Sequence, residues 1–429
     1  MIIRRDRYLN LLIGKMHNGQ IKVITGVRRC GKSFLVFNLF RTYLRSQNIP
    51  DDHIIEVALD DDANDALRDV GELSKYIRER IVGDGSMHYV LLDEVQLAIT
   101  REEMRNPDKQ VRLYGLLNGL LRLGNVDIYV TGSNSKMLSK DVATEFRGRG
   151  DALQIHPLRF SEYYGFVGGD RSLAFGSYML FGGMPLVLSK NTPDEKFAYL
   201  DSLFKEVYFH DILERYSIEL PSVLSELVDD LCSSIGSLTN ASKIAKTLKS
   251  VKGIDVDNET ISAYLGHLTE SFLFSCSKRY DVKGKRYFEY PSKYYCEDVG
   301  LRNVRLGLRQ QEETHIMENI VYNELVARGF SVDVGVVDIV ERDGEGRRHQ
   351  KNCEIGFIAR KGGQQVYIQS AYSMVDPEKE KMELRPLLSV RDFHKKVVVD
   401  RSVMPPWTDE SGILHVGIYD FLLDESLIA

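Results

Sequence analysis

Proline is scarce in this chain, 11 of 429 residues, and no segment is of low complexity. That excludes a disordered or linker-rich polypeptide. Cysteine is scarcer still. Cys30, Cys232, Cys276, Cys296 and Cys353 are odd in number, scattered and never in a C-x-x-C pair, which argues against a disulfide framework or a cysteine zinc site. No run approaches the ~18 apolar residues of a membrane span. The opening Met1-Ile2-Ile3-Arg4-Arg5-Asp6-Arg7 lacks the sustained apolar stretch of a signal peptide, so a cytoplasmic location is expected. Positive charge is not in excess either. The 56 Lys and Arg against 62 Asp and Glu give a net charge of −6, which excludes a uniformly basic nucleic-acid coat but not a local basic face. What the chain has is length and 43% hydrophobic residues, enough for two to four folded domains at about 150 residues each.

Apolar patterning sets the fold class. Ile21–Thr25, Ile54–Leu59, Tyr89–Leu92 and Ile128–Thr131 read as buried strands separated by helical stretches, among them Ser33–Leu44. That alternation predicts an α/β fold with a parallel sheet over residues 1–165. Residues 166–234 read as mainly helical, broken at Gly182-Gly183-Met184-Pro185. Over 235–300 two short helices precede two strand-like runs, Phe274–Tyr280 and Arg286–Tyr290, the order of a winged helix. Residues 301–429 return to α/β, with a helix from Glu318 and strands near 332–340, 353–360 and 365–371.

One motif carries chemistry. Gly26-Val27-Arg28-Arg29-Cys30-Gly31-Lys32-Ser33, with Phe34 opening the helix, matches G-x-x-x-x-G-K-[ST]. The two glycines let the backbone curl its N–H groups around phosphates, and the next helix adds its positive end. Lys32 can reach the β- and γ-phosphates, and the Ser33 hydroxyl can ligate Mg²⁺. Tyr89-Val90-Leu91-Leu92-Asp93-Glu94 ends a strand in two acids about 60 residues on. Asp93 would hold Mg²⁺ and Glu94 would polarise water, which together indicate a nucleoside triphosphate hydrolase. After the fourth strand, Asn134 is the first choice to orient water and Ser133 the second; a simple turn is the alternative. Arg147 or Arg149 could be an arginine finger, acting in cis or from a neighbouring subunit, or a structural ion pair. Acidic residues between Asp51 and Glu72 read as a solvated loop, with Asp60 near the nucleotide as the lesser option.

These segments resemble a prokaryotic AAA-type ATPase family with a C-terminal domain of unknown function. The resemblance also rests on Leu91-Leu92-Asp93-Glu94-Val95-Gln96, Ile155–Tyr163, Gly182–Pro185, Asp211–Tyr216 and Asp298–Asn303. It implies an AAA-type core, a helical lid, a winged helix and a restriction-endonuclease-like C-terminal domain, with ATP as the nucleotide. A nuclease of that kind needs clustered acids and a lysine. Glu318, Glu354 and Gln369 can supply part of the frame, but Gly356 stands where an acid is expected and Ala371 where a lysine is. A degenerate nuclease used for binding or architecture is therefore expected.

Between Lys278 and Arg309 nine Lys and Arg face four acids, +5 locally, interleaved with aromatics; on a winged-helix hairpin this could contact DNA. The functional expectation is ATP hydrolysis coupled to DNA or partner binding. The alternatives are a slow nucleotide switch on a protein partner and an ATP-gated nuclease. Homo-oligomerisation stays open, and no membrane contact is expected.

Overall fold

The computed structural model describes residues 2–428 apart from 82, 84, 101, 104–110, 133–147, 311, 343–347, 373 and 375. It divides into two compact units, Met1–Pro157 with Glu270–Phe272, and Leu158–Thr269 with Leu273–Ala429.

The first unit is built on a five-stranded sheet. Helix α1 (Asp6–Gly14) precedes β1 (Ile21–Gly26), and helix α2 runs from Lys32–Phe34 through a π-helical stretch, Leu35–Phe40, into Arg41–Ser46. Then come β2 (Ile54–Ala58), α3 (Val70–Arg80), β3 (His88–Asp93), α4 (Arg112–Leu121), β4 (Val126–Gly132) and β5 (Gly150–Ile155). The strand order is β2-β3-β4-β1-β5, and every pairing is parallel. Buried on both faces, β1 reads as an apolar run but for Lys22 and Thr25, as parallel strands do. Ile21, Val23, Val57, Val90, Leu92, Ile128 and Val130 pack on one face against Leu73 and Ile77 of α3 and Leu113 and Leu117 of α4. Each such side chain contributes about 1.5–3 kcal/mol on burial. Inside the sheet, Lys22 pairs with Asp127, which also accepts from the Tyr129 hydroxyl at 2.8 Å.

The second unit opens with α5 (Phe160–Val167), α6 (Arg171–Phe181), α7 (Pro193–Ser202) and α8 (Pro221–Ser233). Next are β6 (Leu238–Thr239), α9 (Ala241–Thr247, continued by Leu248–Lys252), α10 (Asn258–Glu270) and the hairpin β7 (Phe274–Asp281) and β8 (Arg286–Cys296). Helices α11 (Val299–Arg305) and α12 (Glu313–Ala327) lead to β9 (Ser331–Arg342), β10 (Arg348–Lys361) and β11 (Gln364–Ser370). The chain ends with α13 (Pro377–Ser389), β12 (Lys395–Asp400), β13 (Trp407–Thr408), β14 (Ile413–Gly417) and α14 (Ile418–Leu423). The hairpin does not stand apart. Strand β7 pairs in parallel with β9, from Arg279 opposite Val334 to Asp281 opposite Val336. All nine strands thereby form one sheet in the order β13-β14-β12-β11-β10-β9-β7-β8-β6.

Three motifs that look isolated in the sequence meet here. Gly182 ends α6 in the left-handed region, φ 70°. The Gly183 N–H donates to Asp298 at 2.6 Å, and its carbonyl accepts from the Leu158 N–H at 2.7 Å. A side chain on Gly183 would strike the Leu158 carbonyl at 2.2 Å, and one on Gly300 the Phe181 carbonyl at 2.1 Å. The Asn303 amide donates to the carbonyls of Met179 and Leu180, while Arg305 pairs with Asp229 of α8. The helices expected as a lid are thus packed on α11 within their own unit. Nearby, the buried Arg159 and Arg328 share Glu324 at 2.7 and 2.6 Å, and Arg159 also reaches Glu425 at 2.6 Å. The two guanidiniums are thus balanced by two carboxylates, as buried charge requires, though one Arg328 nitrogen, Nη1, has no hydrogen-bond partner among the described residues.

Candidate nucleotide site

Parallel strands bring their carboxyl ends to one edge, where open α/β sheets place their ligands. Gly26 of β1, Asp93 of β3 and Thr131 near the end of β4 share that edge, because β4 lies between β1 and β3. The loop after β1 curls through three left-handed residues, Gly26 (φ 139°), Arg29 (φ 63°) and Gly31 (φ 101°). A Cβ at Gly26 would lie 2.0 Å from the Ile155 carbonyl, so only glycine fits. Val27 and Cys30 are buried, Arg28 and Phe34 partly so, and Arg29 is exposed. The Lys32 ammonium folds back over the loop, donating to the carbonyls of Gly26 at 3.0 Å and Val27 at 3.1 Å. It keeps a third N–H with no other partner among the described residues.

The acid pair is organised around Thr131. Its hydroxyl donates to Asp93 and accepts from the Glu94 N–H at 3.1 Å. Burial raises the Asp93 carboxyl above its usual range, opposed by hydrogen bonds from Thr131 and Ser33. Ser33 thus bears on the same carboxyl as Thr131. Glu94 takes a left-handed conformation, φ 50° and ψ 46°, uncommon for a non-glycine residue and costing of order 1–3 kcal/mol. It turns the side chain out of the strand, where its carboxylate accepts from Gln96. Ser33 and Asp93 offer hard oxygen donors, the set that suits Mg²⁺. Thr131 and Gln96 are site residues that the motif reading passed over. Their signal was position, a hydroxyl closing the strand beside the acid strand and an amide two residues beyond the acids.

The remaining choices fare differently. Asn134, Ser133 and Arg147 lie outside the described residues. Arg149 lies away from the loop within this chain. It precedes β5 and its carbonyl accepts from the Ile21 N–H at 2.8 Å, at the amino end of β1. With Ile21 opposite Gly150 and Gly26 opposite Ile155, the loop lies about 16 Å further along the strands. Proximity in sequence suggested the site; parallel strand direction puts Arg149 at the other edge. Asp60 acts electrostatically on Asp93, so the acidic turn after β2 does face this edge.

In the second unit the expected nuclease frame is only partly assembled. Lys293 of β8 lies 3.0 Å from Glu318 and 2.6 Å from Glu354, and the Tyr295 hydroxyl donates to Glu318 at 2.8 Å. Burial works against the Lys293 charge, yet the two carboxylates hold its ammonium above the usual lysine range. Gln369 does not join them. It accepts from the Gly356 N–H at 2.9 Å and donates to Glu383 at 2.6 Å. Ala371 is buried under the sheet.

The basic stretch 278–309 is not one patch. Lys293 is held in the acid cluster, Arg302 is fully buried against the Cys232 and Gln310 carbonyls, and Arg305 is paired with Asp229. Lys278, Lys283, Lys285 and Arg286 stay exposed on or beside the hairpin turn.

The profile of a family described as AAA domain matches residues 18–164, and that of a domain of unknown function (DUF8612) matches 173–312. An uncharacterised protein of Haemophilus influenzae is 32% identical over 427 residues, 98% of this chain and 99% of that protein. The chain belongs to this AAA-domain family. An uncharacterised protein of Methanocaldococcus jannaschii is 27% identical over 396 residues, 89% of this chain and 80% of its own. Among solved structures, AMPPCP-bound DnaA from Aquifex aeolicus is 15% identical with TM-score 0.29, over 62% of this chain and 86% of that one. The Aeropyrum pernix ORC1 protein in complex with DNA is 11% identical with TM-score 0.30, over 76% and 94%. Likenesses of that size carry no argument about this chain. Its first unit is an AAA-type domain on its own loop, sheet and sequence family. Among the described residues no helix is long and apolar enough to cross a membrane.

Proposed function

We propose that the chain binds ATP at the loop Gly26–Ser33 and hydrolyses it. The observation that carries this reading is the hydroxyl of Thr131, which joins Asp93 to the Glu94 backbone on the strand edge that holds the loop. Backbone N–H groups of the loop take the phosphates, and Lys32 turns its third N–H to the β- and γ-phosphates. Ser33 and Asp93 hold Mg²⁺, which when bound neutralises phosphate charge. Glu94 polarises the attacking water, and Thr131 fixes its backbone against Asp93. Asn134 stays the choice for orienting that water, and Arg147, or Arg149 from a neighbouring subunit, the choice for an arginine finger. Lys32→Ala should weaken ATP binding. Glu94→Gln should keep binding but slow turnover by about 100-fold or more. Hydrolysis at the wild-type rate in both variants overturns the assignment.

We further infer that hydrolysis is coupled to a partner held by the second unit. The order α8-β6-α9-α10-β7-β8, with β6 antiparallel to β8, fits a winged helix, and the exposed hairpin lysines suit a phosphate backbone. The C-terminal strands fit a nuclease-like fold whose acids are neutralised by Lys293. A protein-directed nucleotide switch is the second reading. It is favoured by α10, which would enter a DNA groove, yet bears no Lys or Arg from Asn258 to Glu270. Duplex DNA that accelerates ATP turnover, with the effect fading as salt rises, supports the first reading. Turnover indifferent to DNA supports the second.

A further inference from the structure

We propose that Arg5 is a positioning residue for the phosphate-binding loop, an inference that rests on the nucleotide reading of that loop. The residue is only 4% exposed, a rare placement for arginine. It donates to the Cys30 carbonyl inside the loop at 3.0 Å and to the His156 carbonyl after β5 at 2.8 Å. It lies 4.6 Å from the centre of the Tyr8 ring, and the Tyr8 hydroxyl accepts from the His156 N–H at 3.3 Å. The residue just before α1 thus ties together chain segments 25 and 151 positions away.

The chemistry follows from the peptide plane. In a trans peptide the C=O and the next N–H point in opposite directions. Drawing the Cys30 carbonyl towards Arg5 therefore turns the Gly31 N–H the other way, into the concave side of the loop. Gly31 can hold that orientation because its φ of 101° is free for glycine. Ile155 backs the same loop from β5, its carbonyl facing Gly26 and accepting from the Cys30 thiol at 3.5 Å. The planar fork of arginine serves two carbonyls at once, which the single ammonium of lysine does less well.

The test measures affinity for a fluorescent ADP analogue, displacement by ATP, steady-state turnover and melting temperature without nucleotide, on wild type, Arg5→Lys and Arg5→Ala. The expected result is ATP and ADP affinity weakened about tenfold in Arg5→Ala and less in Arg5→Lys. KM should rise while kcat at saturating ATP stays within about twofold. If Arg5→Ala does not fold, Arg5→Lys and Arg5→Gln carry the measurement. Wild type that binds neither nucleotide overturns the reading of the loop, and the Arg5 role with it. Wild-type binding with unchanged affinity in folded variants overturns the Arg5 role alone. A fall in kcat without a rise in KM does the same.

Discussion

The hydroxyl of Thr131 donates to Asp93 while accepting from the Glu94 N–H, so Thr131→Val removes both contacts at little change of volume. We expect kcat for ATP to fall about 10–100-fold, the usual cost of losing a group that orients metal ligands. KM should change far less, and Thr131→Ser should restore most of the rate. Steady-state kinetics on the two variants check this. Lys293 invites a different experiment. It stands between two carboxylates, Glu318 and Glu354. Lys293→Met leaves Glu318 and Glu354 facing each other and should cost about 3–5 kcal/mol in urea unfolding. Lys293→Met with unchanged stability would show that the cluster is solvated instead of structural.

At the level of elements, the glycines of the second unit separate into two kinds. Gly183 and Gly300 have carbonyls at 2.2 and 2.1 Å from where a side chain would begin, whereas Gly176, inside α6, has nothing within 4 Å. Gly183→Ala and Gly300→Ala should each destabilise by about 2 kcal/mol or more. Gly176→Ala should stabilise by about 0.5–1 kcal/mol. Melting of the three variants decides. The strands were largely legible in the sequence, because β1, β3 and β4 are runs of buried apolar residues bounded by breaks. The loop and the acid pair were legible because their chemistry is local. The pairing of β7 with β9 was not, since Arg279 and Val334 pair across 55 positions and nothing in either strand names the other. Arg5 was hidden for the same reason, its role being set by two distant carbonyls. The basic run 278–309 misled because strand and helix periodicity sends neighbouring charges to opposite sides.

For the molecule as a whole, pH is the accessible variable. Asp298 is fully buried, and that burial pushes its carboxyl up to about 6 in spite of N–H donors from Gly183, Leu301 and Gly300. Unfolded, it titrates near its ordinary 3.8. Between those values the folded chain binds a proton that the unfolded chain does not. Asp298 therefore favours folding below about pH 4, and that contribution is lost as pH rises through 6, by up to about 3 kcal/mol. The change in unfolding free energy between pH 4 and pH 7, from urea titrations of wild type and Asp298→Asn, should differ between the two by up to this amount. Equal changes would mean that Asp298 titrates normally. The buried network of Arg159, Glu324 and Arg328 has a consequence of another kind. Removing Glu324 strands two guanidiniums in the interior, while replacing all three together with apolar side chains need not destabilise the fold. Descent with modification can then reach the apolar version only through intermediates that fold poorly. The three positions should pass between lineages as a block, inherited intact or lost at once.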